Sequence, residues 1–434
     1  MIDTEKDTKK QVEKALLIGF RTPDCAESTA LEHLDELAEL VHTLGIGVGG
    51  SLCAVVKEPS AEFYVGSGKA AEIIDTMHRL ECDSLIFNTP LSPSQQRNWE
   101  RKAKVCVVDR EEIIIDIFAS RAITREAVLQ VELARMKYYL PRLARAWTHL
   151  SRQRGGAKGT RGEGETQIEV DRRMIKREIT QLTKELEEVR KQRSTQRKLR
   201  ERSSVIHCAI VGYTNVGKSS ILRALSGAGV LVEDKLFATL DPTTRKITLP
   251  NNQKLLLTDT VGFVRDLPHD LVEAFKSTLE EAVLSDFLML VLDISSPIIF
   301  EQWETTLQVL HDLGAEDKNI LVVLNKIDKI DENDEIFAVA KSRLVASDGV
   351  YISTATGKNM DMLVKRLSDI VDERLSALKI KLPPSRHDLA AFARKQGAVR
   401  NESYDEFGNV TLEINISQQF FHKFEPFIIT EKTS

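Results

Sequence analysis

The chain has 434 residues, 42% hydrophobic and 29% charged, with a formal net charge of −5. That length and balance suit about two to four domains with sizeable cores, and they exclude nucleic-acid binding through bulk charge, so any such contact needs a local basic patch. The five cysteines (Cys25, Cys53, Cys82, Cys106, Cys208) contain no C-x-x-C pair, the N-terminal "MIDTEKDTKKQ" lacks the apolar core of a signal peptide, and "FLMLVLDI" at 287–294 is only strand length; a disulfide framework, a zinc site and a membrane span are therefore not expected, and a reducing, cytoplasmic setting is.

Along the first ~120 residues, short apolar runs alternate with amphipathic ones. "ALLIGF" (15–20) predicts a strand, 29–45 a helix ending at Gly45, "SLCAVVKE" a strand and "KAAEIIDTMHRL" a helix. "SLIFN" then predicts a strand, "SPSQQRNWERKA" a helix with a serine cap, and "VCVVD" a strand. This βαβα rhythm implies a parallel sheet with helices on its faces. Residues 111–140 read as largely helical. "GSGK" at 66–69 lacks the glycine that a phosphate loop needs, since position 63 is Phe63, and it reads as a helix start.

The character changes in "SRQRGGAKGTRGEGETQ", where Arg152, Arg154, Lys158 and Arg161 lie among glycines. That predicts a flexible basic loop. A long helix follows, with Ile175, Ile179, Leu182, Leu186 and Val189 stepping by four and three, the seam of a coiled-coil-like hairpin. Between 171 and 204 there are twelve Lys/Arg and six Asp/Glu, a local positive excess on an acidic chain. From Val205 the βα alternation resumes to about 375, "LPPS" (382–385) predicts a linker, and the last ~50 residues predict one helix and a hairpin turning at "DEFGN". The expected organisation is an N-terminal parallel α/β domain (1–140), the basic loop and helical hairpin (141–204), a Ras-like P-loop domain (205–376) and a small C-terminal α+β domain (377–434).

"GYTNVGKSS", from Gly212 to Ser220, follows an apolar strand (205–211) and opens a helix (218–226). This is the context of a phosphate loop. The backbone amides of Tyr213, Thr214, Asn215, Val216 and Gly217 can wrap a β-phosphate, Lys218 supplies a point charge, and Ser219 can offer a hydroxyl to Mg²⁺. Three further segments choose the base. "LLLTDTVGF" ends in Asp259-Thr260-Val261-Gly262, where Asp259 can hold Mg²⁺ through water and Gly262 N–H can meet a γ-phosphate. "ILVVLNKIDKI" ends in Asn325-Lys326-Ile327-Asp328, whose final carboxylate can accept from guanine N1–H and the 2-amino group. Adenine lacks that donor pair and would leave the carboxylate unpaired. Ser353-Thr354-Ala355 follow a third strand, where a backbone amide can meet guanine O6. All four in order, each at a strand's carboxyl end, form a specific signature for GTP or GDP.

The order GYTNVGKS, FATLDPTTR, DTVGF, NKID, with the upstream "ELARMKYYLPRL…GETQIEVDRR", resembles the HflX family of translation-associated GTPases from about residue 15 to at least 375. The fifth box departs mildly, with Thr354-Ala355 where Ala-Lys or Ala-Leu is usual, and the last ~50 residues match less distinctly. The resemblance implies a Mg²⁺-dependent GTPase. It makes Thr239 the metal-binding threonine of a switch segment whose Phe237, Ala238, Leu240 and Asp241 also lie along the nucleotide; by chemistry alone Thr243 and Thr244 are rivals, though turn capping beside Pro242 suits them better. Lys218, Thr239 and Gly262 are the candidate catalytic groups. The resemblance further implies binding to the large ribosomal subunit and its RNA, with a role in splitting or rescuing stalled ribosomes, and a monomer off the ribosome.

Phe263 follows DxxG, where many small GTPases carry a glutamine that orients the attacking water. Phenylalanine cannot do this, so hydrolysis is expected to be slow until a partner completes or rearranges the site. The basic Gly-rich loop suits an RNA backbone, with Trp147 and His149 nearby and able to stack, although Trp147 is at least as suited to a core. The alternative is a P-loop enzyme whose N-terminal domain binds a small substrate, but "SLIFNTPLSPSQQRN" offers no clustered carboxylates, His or Cys for such chemistry.

Overall fold

The computed structural model describes residues 12–23, 25–143, 164–201, 205–227, 237, 242–265, 281–331, 335–344, 349–396, 399–417 and 420–429. The chain divides into two compact units: Met1–Val189 with Lys235–Ala238 and Asp266–Phe275, and Arg190–Asp234 with Thr239–Arg265 and Lys276–Ser434.

The first unit is built on a parallel sheet of β1 (Lys14–Arg21), β2 (Gly47–Val55), β3 (Ser84–Phe87) and β4 (Cys106–Asp109), in the order β2-β1-β3-β4. Residues 15–18 and all of β3 are buried, as parallel strands covered on both faces must be. The helices are α1 (Glu27–Thr43), α2 (Ser67–Arg79), α3 (Pro93–Ala103), α4 (Arg110–Arg121) and α5 (Arg125–Tyr139). Leu16, Ile18, Phe87 and Val107 of the sheet pack with Ile73, Met77 and Trp99 of the helices. Local chemistry fixes α3: Ser92 Oγ accepts from Gln95 N at 3.2 Å, Gln95 Oε1 accepts from Ser92 N at 2.9 Å, and Pro93 opens the first turn. Gly66 caps α2, and Lys69 pairs with Glu72 at 2.8 Å, so "GSGK" is a helix start.

The long helix α6 (Gly164–Glu201) lays its predicted seam on α5: Leu182 and Leu186 pack with Leu129 and Leu133, flanked by Ile179 and Val189. At the carboxyl end of β4 the polar groups are engaged with one another. Asp109 accepts from Leu91 N (3.1 Å), Glu112 N (3.1 Å) and Tyr138 Oη (3.0 Å) and faces Arg142 at 3.4 Å. Burial pushes the Asp109 carboxyl above the usual range, with the Leu91 amide, Arg142 and the Glu112 amide opposing it. Arg110 and Glu36 form a second buried pair at 2.8 Å.

The second unit holds a six-stranded sheet of β5 (Ile206–Gly212), β6 (Thr243–Thr248), β7 (Lys254–Asp259), β8 (Phe287–Asp293), β9 (Ile320–Asn325) and β10 (Val350–Tyr351). Its order is β10-β9-β8-β5-β7-β6, and β6, antiparallel to β7, is the exception in an otherwise parallel sheet. Its helices include α7 (Lys218–Ser226), α8 (Ile299–Asp312), α9 (Glu335–Leu344) and α10 (Met360–Glu373).

A three-stranded antiparallel sheet completes the unit: β11 (Leu375–Leu382), β12 (Val399–Tyr404) and β13 (Val410–Ser417), in the order β11-β13-β12, with α11 (His387–Gln396) and α12 (Phe421–Phe424). Its core is Ile380, Leu382, Leu389, Ala393, Leu412, Ile414 and Phe424. The sequence predicts the helix and the hairpin here; β11 is additional. It runs straight out of α10 and pairs Ile380 with Leu412, a partner far along the chain. Asp372, at the end of α10, joins the two sheets. Its Oδ1 accepts from Asn251 (3.2 Å) and Gln253 (2.8 Å) in the β6–β7 turn, and from Arg400 (2.7 Å) and Asn415 (3.1 Å) in the small sheet.

Candidate functional site

The site lies at the carboxyl ends of β5, β7, β9 and β10, where an open α/β sheet places its ligands. The turn from β5 into α7 is Tyr213–Gly217. Gly217 sits at φ +97, and a Cβ there would stand 2.3 Å from Asn325 Nδ2, so both backbone conformation and space require glycine. Asn325 Nδ2 donates to Val216 O at 2.8 Å, and Asn325 Oδ1 accepts from Thr354 N at 3.1 Å. One buried side chain thereby ties the phosphate loop to the NKID segment and to the Ser353-Thr354 turn.

Lys218 Nζ donates to Tyr213 O (2.6 Å) and Gly212 O (3.1 Å), and burial holds its ammonium down to about 8, with Asp259 opposing the shift. Ser219 Oγ donates to Asp259 Oδ2 at 2.6 Å. Thr260 Oγ1 donates to Ile210 O, which anchors the end of β7 to β5. Beyond it, Gly262 comes so close to the phosphate loop that a Cβ would meet Thr214 Cα at 2.8 Å and Lys218 Nζ at 2.9 Å. Phe263 continues this approach as a short parallel bridge with Tyr213: Phe263 N donates to Gly212 O (3.1 Å) and Thr214 N to Phe263 O (2.8 Å). The Phe263 ring is buried, and Tyr213 Oη accepts from Arg265 N at 2.7 Å.

At the base end, Asp328 is exposed and its Oδ1 accepts from the buried Ser353 hydroxyl at 2.5 Å. Lys326, at φ +65, pairs with Asp293 at the end of β8 at 2.8 Å. Asp293 and the bracing role of Asn325 escape sequence reasoning; the one signal for Asp293 is its place as the last residue of an apolar strand run.

Residues 212–219, 259–263, 325–328 and 353–355 are thus brought together. Phe237 falls in the first unit, buried with its ring edge-on to Phe118 at 4.6 Å. Ala238, Thr239, Leu240 and Asp241 lie outside the described residues, as do Arg152, Arg154, Lys158, Arg161, Trp147 and His149. Of the two rival threonines, Thr243 opens β6, and Thr244 Oγ1 lies 2.8 Å from Thr258 Oγ1, itself 2.7 Å from His207 Nε2.

This cradle suits a nucleoside polyphosphate. Amides, a buried ammonium and a helix N-terminus meet at one point, and among the described residues the buried Thr214 hydroxyl has no hydrogen-bond partner. The Ser219–Asp259 pair supplies only hard oxygens, the donor set that magnesium prefers.

Three family models match the chain: a GTP-binding GTPase N-terminal region over residues 31–119, a GTP-binding GTPase middle region over 121–200, and a 50S ribosome-binding GTPase over 207–326. A GTPase HflX of Akkermansia muciniphila is 48% identical, covering 98% of both chains. The GTPase HflX of Escherichia coli is 38% identical over 89% of this chain and 90% of its own. Among solved structures, a GTP-binding protein of Sulfolobus solfataricus in complex with GDP is 28% identical, covers 82% of this chain and 98% of its own, and superposes with a TM-score of 0.44.

Proposed function

The chain belongs to the HflX family of GTPases, and from that premise we propose that its GTP cycle controls attachment to the large ribosomal subunit, in the service of splitting or rescuing stalled ribosomes. It binds and hydrolyses GTP. In the proposed arrangement Gly212–Ser219 cradle the phosphates, Asp328 and Ser353–Ala355 read guanine, and Gly262 N–H meets the terminal phosphate. Ser219 and Thr239 hold magnesium, with Asp259 acting through water. A bound magnesium supplies charge neutralisation between the β- and γ-phosphates.

The observation that carries the switch reading is Phe263. Its buried ring offers no hydrogen bond at the position after DxxG, and its backbone is bonded to the phosphate loop. A site closed in this way hydrolyses slowly until a partner moves the segment. The name of the family model over 207–326, and the basic segment around 152–161, point to the large subunit and its RNA as that partner.

Two measurements test this. The protein with a non-hydrolysable GTP analogue should co-sediment with large subunits more than with GDP. Purified ribosomes should raise its GTP turnover at least tenfold. Equal pelleting in both nucleotide states together with equal turnover would reject the ribosome reading and leave the GTPase activity intact.

A further inference from the structure

We infer that Asp293 is a positioning residue for guanine recognition: its carboxylate holds the Lys326 side chain and so steadies the turn that presents Asp328. Asp293 ends β8, and the strand register places it beside Asn325, the last residue of β9. Its Oδ2 stands 2.8 Å from Lys326 Nζ. Its Oδ1 accepts from Ser295 N at 3.0 Å and from Ser295 Oγ at 2.6 Å. Both oxygens are thus engaged, and the carboxylate faces Lys326 in a fixed orientation. The Lys326 and Asp293 side chains are 21% and 16% exposed, so water screens the pair less than it would on an open surface. Ile294 N also donates to Asn325 O at 3.1 Å. The end of β8 therefore grips this stretch twice, at the Asn325 carbonyl and at the side chain that follows it.

The grip matters because of the Lys326 backbone. Its φ of +65 lies in the left-handed region, which the β-carbon of an L-residue disfavours. That conformation turns the chain out of β9 into a short 3-10 helix, Ile327–Lys329, where Lys329 N donates to Lys326 O at 3.0 Å. Asp328 is the middle residue of this turn, and its Oδ1 accepts from the Ser353 hydroxyl. The carboxylate that reads the base is therefore held from two directions, by Ser353 at its oxygen and by Lys326 at the root of its turn. A strained backbone persists only where its surroundings hold it, and the Asp293 charge supplies part of that hold. Without that charge Lys326 can leave the left-handed region and carry Asp328 away from the place where guanine N1–H and the 2-amino group arrive. Asn325 stays anchored by its strand and by Val216 O, so the phosphate loop keeps its own support.

This role rests on the reading of Asp328 as the guanine acceptor, and not on the identity of the ribosomal partner. Asp293→Asn keeps the shape and an oxygen for Ser295, and removes the charge that faces Lys326. Asp293→Asn, Lys326→Ala and the double variant are compared with wild type by fluorescence titration of GDP, by phosphate release at saturating GTP and by urea denaturation. Asp293→Asn should weaken GDP binding about 5- to 20-fold, between the effects of losing an exposed ion pair and a hydrogen bond to a charged group. Its release rate at saturating GTP should stay within about twofold of wild type, because the lost interaction serves binding alone. In the Lys326→Ala background the same substitution should change GDP affinity by less than about twofold, since no ammonium is left to hold. GDP binding by Asp293→Asn within about twofold of wild type would overturn the role, even beside an earlier urea transition, which is the mark of a merely stabilising ion pair. A loss that persists in full in the Lys326→Ala background, or a slower release rate with unchanged GDP affinity, would also overturn it. Asp328→Asn keeps the two failures apart: if that variant binds GDP as wild type does, the base-site reading falls and this role with it, whereas a normal Asp293→Asn beside a weakened Asp328→Asn removes this role alone.

Discussion

Replacing Asp328 by asparagine should move the chain from guanine to xanthine. In the structure the Asp328 carboxylate has Oδ1 fixed by the Ser353 hydroxyl at 2.5 Å, and Ser353 is fully buried. The carboxylate is therefore held in one orientation, ready to accept from N1–H and the 2-amino group of guanine. A hydrogen bond to a charged acceptor contributes about 1.5–3 kcal/mol. Asparagine keeps an oxygen that can accept from N1–H, but it turns an amide N–H₂ toward the guanine 2-amino group, donor against donor. The expected loss is roughly 2–4 kcal/mol, which is about 30- to 1,000-fold in Kd. Xanthine carries an oxygen at position 2, so the same amide should bind it and invert the preference. Fluorescence titrations of GDP and xanthosine diphosphate against both proteins provide the assay. A variant that binds GDP within twofold of wild type would refute the assignment of the base site.

Further perturbations probe the other elements. Burial holds Lys218 down to about 8, and bound phosphates pull it back up, so binding above that value takes up a proton; GDP affinity should be flat below about pH 8 and fall by up to ~10-fold per pH unit above it, and a level profile to pH 9.5 would contradict this. Ser219→Ala removes the 2.6 Å partner of Asp259 and a proposed metal ligand, so the magnesium concentration for half-maximal turnover should rise about 10- to 100-fold. Alanine at Arg152, Arg154, Lys158 and Arg161 together should weaken large-subunit binding and flatten its salt dependence while leaving GDP affinity unchanged, read by sedimentation at several salt concentrations. Asp372→Ala leaves the buried amides of Gln253 and Asn415 without their acceptor and should cost about 1–3 kcal/mol of unfolding free energy in urea, whereas Asp372→Asn, which keeps an oxygen, should cost less.

The phosphate loop was legible because every requirement it meets is local. An apolar strand, a glycine at positive φ and a helix beginning at Lys218 lie within one short stretch, and glycine at 217 announces a backbone that other residues avoid. The serine cap of α3 and the seam of α6 were readable for the same reason, since a capping box spans four residues and a helical stripe repeats within a few turns. The segments ending in Asp259, Asn325 and Ser353 could be ordered from their strand patterns, but nothing local says that Asn325 reaches Val216 or that Asp293 meets Lys326. Those contacts join residues on different strands and depend on the order β10-β9-β8-β5-β7-β6, which only assembly of the sheet fixes. The third strand of the small sheet shows the same division. Leu378, Ile380 and Leu382 alternate with Lys379 and Lys381, a pattern any exposed strand could carry, and what makes it β11 is its antiparallel register on β13, closed across the intervening helix and hairpin. Sequence determined the chemistry available at each strand end; tertiary pairing decided which ends meet, because side-chain hydrogen bonds act over about 3 Å while the residues that make them stand tens of positions apart in the chain.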